Sequence, residues 1–368
     1  MISKETILSV ASHFDLGSAP VAVKELTAGN INVTYRLDIE GKGGLSRYVL
    51  QRINTAAFKD PASLMENIGL VTAHIRGSYE AEGIDPARRV LSFVQADNGS
   101  LLHIDPEGGA WRCYAYVDDV TAYDAIESSS LFREAGVGFG EFQTRLADFP
   151  AEKLTETIPG FHNTARRFET FMASVEKDAA GRAASVAEDI AFFTSRKALM
   201  SSIVEKLGGE LPLRVTHNDT KLNNVLMDNT TGKALCVIDL DTVMPGSALY
   251  DYGDAVRYGA CTAAEDEPDT SKIGFDMELF RAFTEGFVSA TAGNLTAAEI
   301  KLLPLGIAVI TCELAMRFMT DYLDGDVYFK TAYEGHNLVR ARAQMKLLTE
   351  VEAKLDEMYG YVASLLAQ

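Results

Sequence analysis

Residues 213–241 decide the fold: LRVTHNDTKLNNVLMDNTTGKALCVIDLD. Apolar runs at 211–215 and 225–227 flank a polar loop, His217-Asn218-Asp219-Thr220-Lys221-Leu222-Asn223-Asn224. A further apolar run, 234–238, ends in Asp239-Leu240-Asp241. Short apolar runs broken by polar turns predict a ribbon of strand, loop, strand, turn and strand. A ribbon of this kind holds its loop ends side by side, so an Asp, a Lys, an Asn and a second Asp are expected to converge.

Those side chains suit phosphoryl transfer, which needs positioning, cations on the phosphate oxygens and a carboxylate aimed at the attacking hydroxyl. Asp219 is the candidate base. Lys221, two residues on, offsets charge on the moving group. Asn224 and Asp239 are hard oxygen ligands of the kind Mg²⁺ takes. The order, Asp then Asn then a metal-binding Asp, is that of a kinase catalytic loop.

His217-x-Asp219 with Asn224 and Ile238-Asp239 resembles the aminoglycoside phosphotransferase superfamily, small-molecule relatives of protein kinases. The longer strings VTHNDTKLNNVLMD (215–228), IDLDTVMPGS (238–247) and DYGDAVRYGA (251–260) resemble a narrower group, the N-acetylhexosamine 1-kinases. That likeness runs from ASHF at 11–14 to HNLVRARAQ at 336–344. It implies an α+β, bilobal, protein-kinase-like fold. A small antiparallel-sheet N-lobe would span 1–117, and a larger, mainly helical C-lobe 118–368. It also implies ATP as co-substrate, Mg²⁺, and transfer of the γ-phosphoryl group to the anomeric hydroxyl of GlcNAc or GalNAc. A kinase for another small alcohol (aminoglycoside, choline or homoserine) is the alternative, and a nucleotide-binding pseudokinase stands behind it.

Upstream of the loop, residues 3–14 carry the apolar spacing of a helix, and 21–26, 31–39 and 47–53 read as strands joined by turns at 27–30 and 41–44. This order fits a flap over nucleotide phosphates, with Gly29, Asn30 and Asn32 in or beside it. A lone Gly29 is, by itself, an ordinary hairpin turn. Kinases place a Lys near the end of the third strand. Here Gln51 and Arg52 stand instead, and as strand neighbours they point to opposite faces. Glu66, on a helix expected from Pro61 to about residue 80, is either the partner carboxylate or a solvated side chain. Residues 90–94 and 110–117 read as two more strands, and the resemblance makes Tyr116-Val117 the hinge whose main chain meets adenine.

Helices are expected at 131–147, 163–177, 186–207, 277–291, 296–322 and 338–366, the fifth opened by a Thr296-x-x-Glu299 capping box. Gly136-x-Gly138-x-Gly140 has no preceding strand, so it reads as close helix packing and not as a dinucleotide loop. Glu265-Asp266-Glu267-Pro268-Asp269 reads as a solvated acidic loop. His217 reads as an orienter of the loop, and Asp251 and Asp254 as holders of it through backbone hydrogen bonds. Asp241 either supports Asp239 or touches sugar or metal. For the acceptor the resemblance points to Arg317, a charge in an otherwise apolar helix that needs a partner or a ligand. Tyr258 and Tyr328 are expected as flat faces for the sugar, and Asn30 as a polar contact. His13, His74, His103, His162 and His336 show no metal-ligand spacing.

Composition narrows the rest. The 368 residues carry 34 Lys and Arg against 52 Asp and Glu, a net charge of −18. That balance argues against nucleic acid and anionic membranes as partners. Cys113, Cys236, Cys261 and Cys312 form no Cys-x-x-Cys pair and read as reduced thiols. With no apolar leader and no apolar stretch long enough to span a bilayer, the expected place is the cytoplasm.

Overall fold

Alternating apolar residues dictate a half-buried sheet early in the chain, and 3.6-residue periodicity dictates helices later. A computed structural model describes residues 2–27, 31–41, 43–291 and 293–367. Gly29 and Asn30 lie outside the described residues. The chain divides into two compact units.

The first unit holds the chain up to Thr121 together with Lys153–Ile158 and Leu226–Met244. It opens with α1 (Lys4–Ala11), capped by Ser3, whose hydroxyl accepts from Thr6 N at 3.1 Å. Then come β1 (Pro20–Leu26), β2 (Val33–Gly41), β3 (Gly44–Ile53), α2 (Pro61–Ala81), β4 (Phe93–Val94), β5 (His103–Ile104) and β6 (Ala110–Ala115). The strands form one sheet in the order β1-β2-β3-β6-β4, with β5 also on β6, and every pairing is antiparallel. Period-2 alternation on β2 sends Tyr35, Leu37 and Ile39 to one face. They pack with Leu50, Trp111 and Cys113 against Ile7, Val10 and Ala11 of α1. Gly44, at φ 106°, closes the β2–β3 hairpin in a conformation that glycine alone adopts easily.

This division differs from a boundary at 117/118, because hydrogen bonds recruit later chain into the first unit. Val120–Thr121 pairs antiparallel with Met227 and Asp228, and Val225–Asp228 pairs with Ala234–Val237. Buried Asn67 of α2 donates to Thr155 O at 2.7 Å and Val243 O at 3.0 Å. The strand expected at 90–94 shortens to Phe93–Val94, since the Arg89 and Val90 N–H groups turn back to Pro86 O.

The second unit is helical: α3 (Ser129–Arg145), α4 (Thr164–Lys177), α5 (Ala187–Thr194), α6 (Lys197–Ser201), α7 (Ala248–Gly259), α8 (Met277–Ala290), α9 (Ala297–Lys301), α10 (Leu303–Asp324) and α11 (His336–Leu366). The single helix expected at 186–207 is broken. Ser195 and Ser202 hydroxyls and the Arg196 guanidinium bond nearby carbonyls, which competes with the helical ladder. The helix expected at 296–322 divides at Leu302, with Pro304 in the first turn of α10, and the predicted capping box opens α9. Contrary to the reading from sequence, α10 is long and apolar enough to cross a membrane, but 78% of its apolar window is buried inside the protein. It therefore has the burial of a core helix.

Three of the four free cysteines are buried, and burial pushes the Cys113, Cys236 and Cys312 thiols up to about 12. α3 and α8 approach through small residues. A Cβ on Gly136 would lie 2.4 Å from Phe283 O, and one on Gly286 2.0 Å from Arg133 O. Gly136→Ala is expected to cost about 1–3 kcal/mol by overpacking and to lower the thermal midpoint. Gly77→Ala, in open space on α2, is the control and should gain about 0.5–1 kcal/mol. Equal midpoints for the two variants in scanning calorimetry would contradict the packing.

Candidate active site

The polar loop leaves the strand Arg214–Thr216 and is shaped from beneath by one carboxylate. Asp251 of α7 is buried and accepts from His217 N and Asn218 N, each at 2.8 Å, and from Gln143 Nε2 at 3.0 Å. Thr220 Oγ1 donates to Asp251 O at 2.6 Å. These bonds hold Asn218 in the left-handed region at φ 65°. Burial pushes the Asp251 pKa up, against the pull of His217 and of the two backbone donors. His217, fully buried, lies edge-on to Phe139 and Phe142, and its Nδ1 accepts from Asp219 N at 3.3 Å. It orients the loop, as expected.

The loop brings together Asp219, Lys221 and Asn224. Lys221 Nζ lies 2.7 Å from Asp219 Oδ1. Asn224 Nδ2 donates to Asp219 O at 2.8 Å and to Oδ2 at 3.2 Å. Burial pulls the Lys221 pKa down, but the Asp219 carboxylate, helped by Asp254 and Glu265, holds it above the ordinary lysine value. The ammonium therefore stays charged. With the Asn224 amide nitrogen turned into the loop, its carbonyl oxygen is left as the ligating atom, so the donor set fits Mg²⁺.

The first unit carries Asp239, while Asp219 and Asn224 belong to the second. Asp239 sits at φ 60°, ψ 58° and opens the short turn Leu240–Thr242. Asp241, two residues on, is buried and ion-paired with Arg112 of β6, itself buried. Asp241 Oδ2 also accepts from Asn32 Nδ2 at 2.6 Å, and Asn32 Oδ1 accepts from Asn54 N at 2.9 Å. Arg112 Nε and Nη2 donate to Gln51 Oε1 at 2.8 and 2.6 Å across the β3–β6 ladder, where Gln51 is the register partner. Gln51 Nε2 then donates to Thr34 Oγ1 at 3.0 Å. Both carboxylate oxygens of Asp241 are thus engaged, one by Arg112 and the other by Asn32.

Arg52 points away from this network, over the Trp111 ring at 5.9 Å. Burial pushes the nearby Asp105 carboxyl up, but hydrogen bonds from Trp111 and from the Gly109 and Glu107 N–H groups, with a smaller pull from Arg52, hold its pKa below the ordinary value. Glu66 is exposed, the solvated alternative. Tyr116 N–H donates to Arg47 O, and among the described residues no hydrogen bond engages the Val117 main chain. Arg112 was missed by sequence reasoning. Its signal was a lone charge in the strand AWRCYA, which needs a buried partner.

A cavity of about 280 Å³ opens in the second unit, lined by Arg167, Met316, Arg317, Thr320, Asp321 and Tyr328 among others. The Arg317 guanidinium lies over Phe161, Tyr328 and Phe329 at 5.5–6.0 Å and forms no ion pair among the described residues. Tyr328 is 72% exposed. Arg167 donates to Phe161 O at 3.0 Å and lies 3.5 Å from Glu313 Oε1. Glu313 is buried and meets His162 Nδ1 at 2.7 Å. Asp321 is already engaged: it accepts from the N–H groups of Val327, Tyr328 and Phe329 and from Asn337 Nδ2. Asp324 accepts from Ser174 Oγ at 3.1 Å. Two guanidiniums therefore face the cavity while its acids are occupied. Tyr258, expected here, is 41% exposed on α7 and does not line the cavity.

The acidic loop is not simply solvated. Glu265 pairs with Arg257, Glu267 with Lys272, and Asp266 with His336. Asp254 likewise pairs with Arg257 and does not bond the loop backbone in the way Asp251 does. His13, Asp97 and His103 come together in space although their spacing gives no hint of it. The two imidazoles are stacked at 4.1 Å with an 18° tilt, so their in-plane lone pairs do not converge on one ion.

Residues 22–276 match the family model described as "Phosphotransferase enzyme family", and the chain belongs to that family. Solved structures with the same fold include a microcompartment-associated aminopropanol kinase, at 18% identity and TM-score 0.62, covering 97% of this chain and 98% of that one. Spectinomycin phosphotransferase in complex with ADP and spectinomycin matches at 14% identity and TM-score 0.57, covering 96% and 99%. A choline kinase from Cryptosporidium parvum matches at 14% identity and TM-score 0.54, covering 100% of both chains.

Burial pushes the Glu313 pKa up, but His162, Arg317 and Arg167 together hold it below the ordinary value of 4.5. A depressed carboxylate pKa gives stability that is present above the unfolded value and lost as pH falls through the folded one. Glu313→Gln should therefore lower the thermal midpoint at pH 7, and the gap to the natural protein should close as pH falls below about 4.5. A gap that stays constant from pH 7 to pH 3 would remove Glu313 from this network.

Proposed function

We propose that this phosphotransferase is an ATP-dependent kinase that phosphorylates an N-acetylhexosamine at O1. The observation that carries the acceptor class is the cavity where Arg167 and Arg317 face inward and the acids are already bonded. A cationic acceptor would have to compete with the donors already on Asp321 and Asp324 and would lie beside the Arg317 guanidinium. A neutral sugar offers hydroxyl and acetamido oxygens to guanidinium donors, and the faces of Tyr328 and Phe329 offer it apolar contact. His162 lies close enough to Asp251 and Asp254 to lower their pKa values and bonds Glu313, so the cavity and the catalytic loop share one field.

In this reading Asp219 accepts the proton of the anomeric hydroxyl, which is more acidic than an ordinary alcohol. The O1–Pγ bond forms as the bond from Pγ to the bridging oxygen of ADP breaks. Lys221, paired with Asp219 beforehand, offsets charge on the transferring group. Asn224 and Asp239 are the residues assigned to Mg²⁺, Asp239 from its place in the sequence motif. When bound, the ion neutralises charge on the phosphate oxygens. The flap supplies nucleotide contacts in the same scheme, while Gln51, bonded to Arg112 and Thr34, acts behind it, and the four free thiols suit a reducing cytoplasm.

The solved relatives make an amino-alcohol or aminoglycoside acceptor the second reading, since their names are those of kinases for such compounds. An acceptor panel read by ADP release separates the two: GlcNAc and GalNAc against aminopropanol, choline, homoserine and spectinomycin. Turnover of the sugars, with ³¹P signals of a 1-phosphate, is expected. Preferential turnover of choline or aminopropanol would replace the sugar reading, and phosphate on O6 would end the O1 assignment. Arg317→Met should raise the sugar KM about tenfold or more, corresponding to loss of one charged hydrogen bond. Asp219→Asn should lower kcat about 10²- to 10⁴-fold, the usual contribution of a general base, while ATP–Mg²⁺ binding persists. Full turnover in a folded Asp219→Asn protein would sink the mechanism.

A further inference from the structure

The third strand lacks the kinase lysine, and neither residue at its end replaces it by reaching outward. Arg52 faces Trp111, and Gln51 faces the neighbouring strand. The charge has moved to that strand. Arg112 is 3% exposed and spends all three nitrogens inside the unit, with Nη1 on Asp241 and Met65 Sδ and with Nε and Nη2 on Gln51. Asp241 is 4% exposed and holds Arg112 on one oxygen and Asn32 on the other. Asp241 is the middle residue of the three-residue turn Leu240–Thr242, which Asp239 precedes in the left-handed region at φ 60°. A non-glycine residue there is strained and persists only when its surroundings fix it.

We propose that Arg112 is the positioning residue of the metal loop: by clamping Asp241 it holds Asp239 in the conformation that presents its carboxylate to the divalent ion. A cation–carboxylate pair is kept in this unit, with Arg for Lys and with the carboxylate moved from the α2 helix to the metal loop itself. The planar fork of Arg matters, because one guanidinium must satisfy a carboxylate and an amide oxygen at once, which an ammonium does only as a point charge. Asn32 extends the clamp to the base of the flap, so the strand that precedes the nucleotide contacts and the turn that bears Asp239 are fixed by the same carboxylate.

This inference rests on the kinase reading above, and the experiment separates the two. Mn²⁺ binding is followed by electron paramagnetic resonance in the presence of ADP, at a temperature well below unfolding. The proteins are the natural one, Asp239→Ala, Arg112→Lys, Arg112→Met and the charge-neutral double variant Arg112→Met/Asp241→Asn. Circular dichroism and thermal midpoints establish which variants fold. If the natural protein binds no Mn²⁺ with ADP, or Asp239→Ala binds it as well as the natural protein, the metal assignment itself fails. If those two behave as expected, folded Arg112→Lys should bind Mn²⁺ about 10-fold more weakly, and Arg112→Met or the double variant up to about 100-fold more weakly. That is the usual range for losing a residue that orients a metal ligand. A role confined to packing would lower the thermal midpoint and leave the Mn²⁺ Kd of folded protein within twofold. That result in Arg112→Lys, the variant least prone to misfold, overturns the proposal.

Discussion

The catalytic loop exists in its observed shape because one buried carboxylate accepts its backbone. Asp251 receives the N–H groups of His217 and Asn218, and without it two donors would be buried with no acceptor. The same two bonds set Asn218 in the left-handed region, and the turn there delivers Asp219 toward Lys221 and Asn224. Gln143 of α3 steadies Asp251 from the side, and the glycines of α3 let that helix come close to α8. Packing far from the chemistry is thereby converted into the position of one side chain. At the bottom of a helical unit, Asp251 stands under a burial cost that pushes its pKa up, and its backbone donors and His217 pull against that cost.

Asp219 is not a bare carboxylate. Lys221 occupies one oxygen and Asn224 the other. In the proposed reaction the incoming hydroxyl must compete with that ammonium and that amide for the carboxylate. This favours an acceptor whose proton is already loosely held, which is how the loop geometry and the anomeric hydroxyl support the same reading.

The parts legible in the sequence are those where chemistry forces residue type and spacing together. Asp219, Lys221 and Asn224 stand out because nothing structural requires that set in so short a polar run, and these three side chains do meet. Asp251 was legible because an Asp near exposed backbone donors caps them. Arg317 was found as a lone charge on an apolar helix, and the same argument applied to AWRCYA would have found Arg112. It was overlooked because attention went to the strand that usually bears the cation, and because Asp241 and Gln51 are distant in the chain. Periodicity merged α5 with α6 and α9 with α10, since an apolar stripe continues across breaks that are made by Ser, Thr and Pro backbone chemistry. The later chain that joins the first unit was invisible because a two-residue strand and one buried Asn recruit it.

The wall of the cavity lined by Arg317 and Tyr328 is secured through its main chain. Asp321 takes three consecutive N–H groups of the segment 327–329, and the side chains of Val327 and Tyr328 remain 77% and 72% exposed. Recognition surface and scaffold are therefore separable at this point: side chains can be exchanged on a fixed backbone perch without disturbing what supports it. Relatives in a family with this arrangement can diverge in diet while inheriting the same engine.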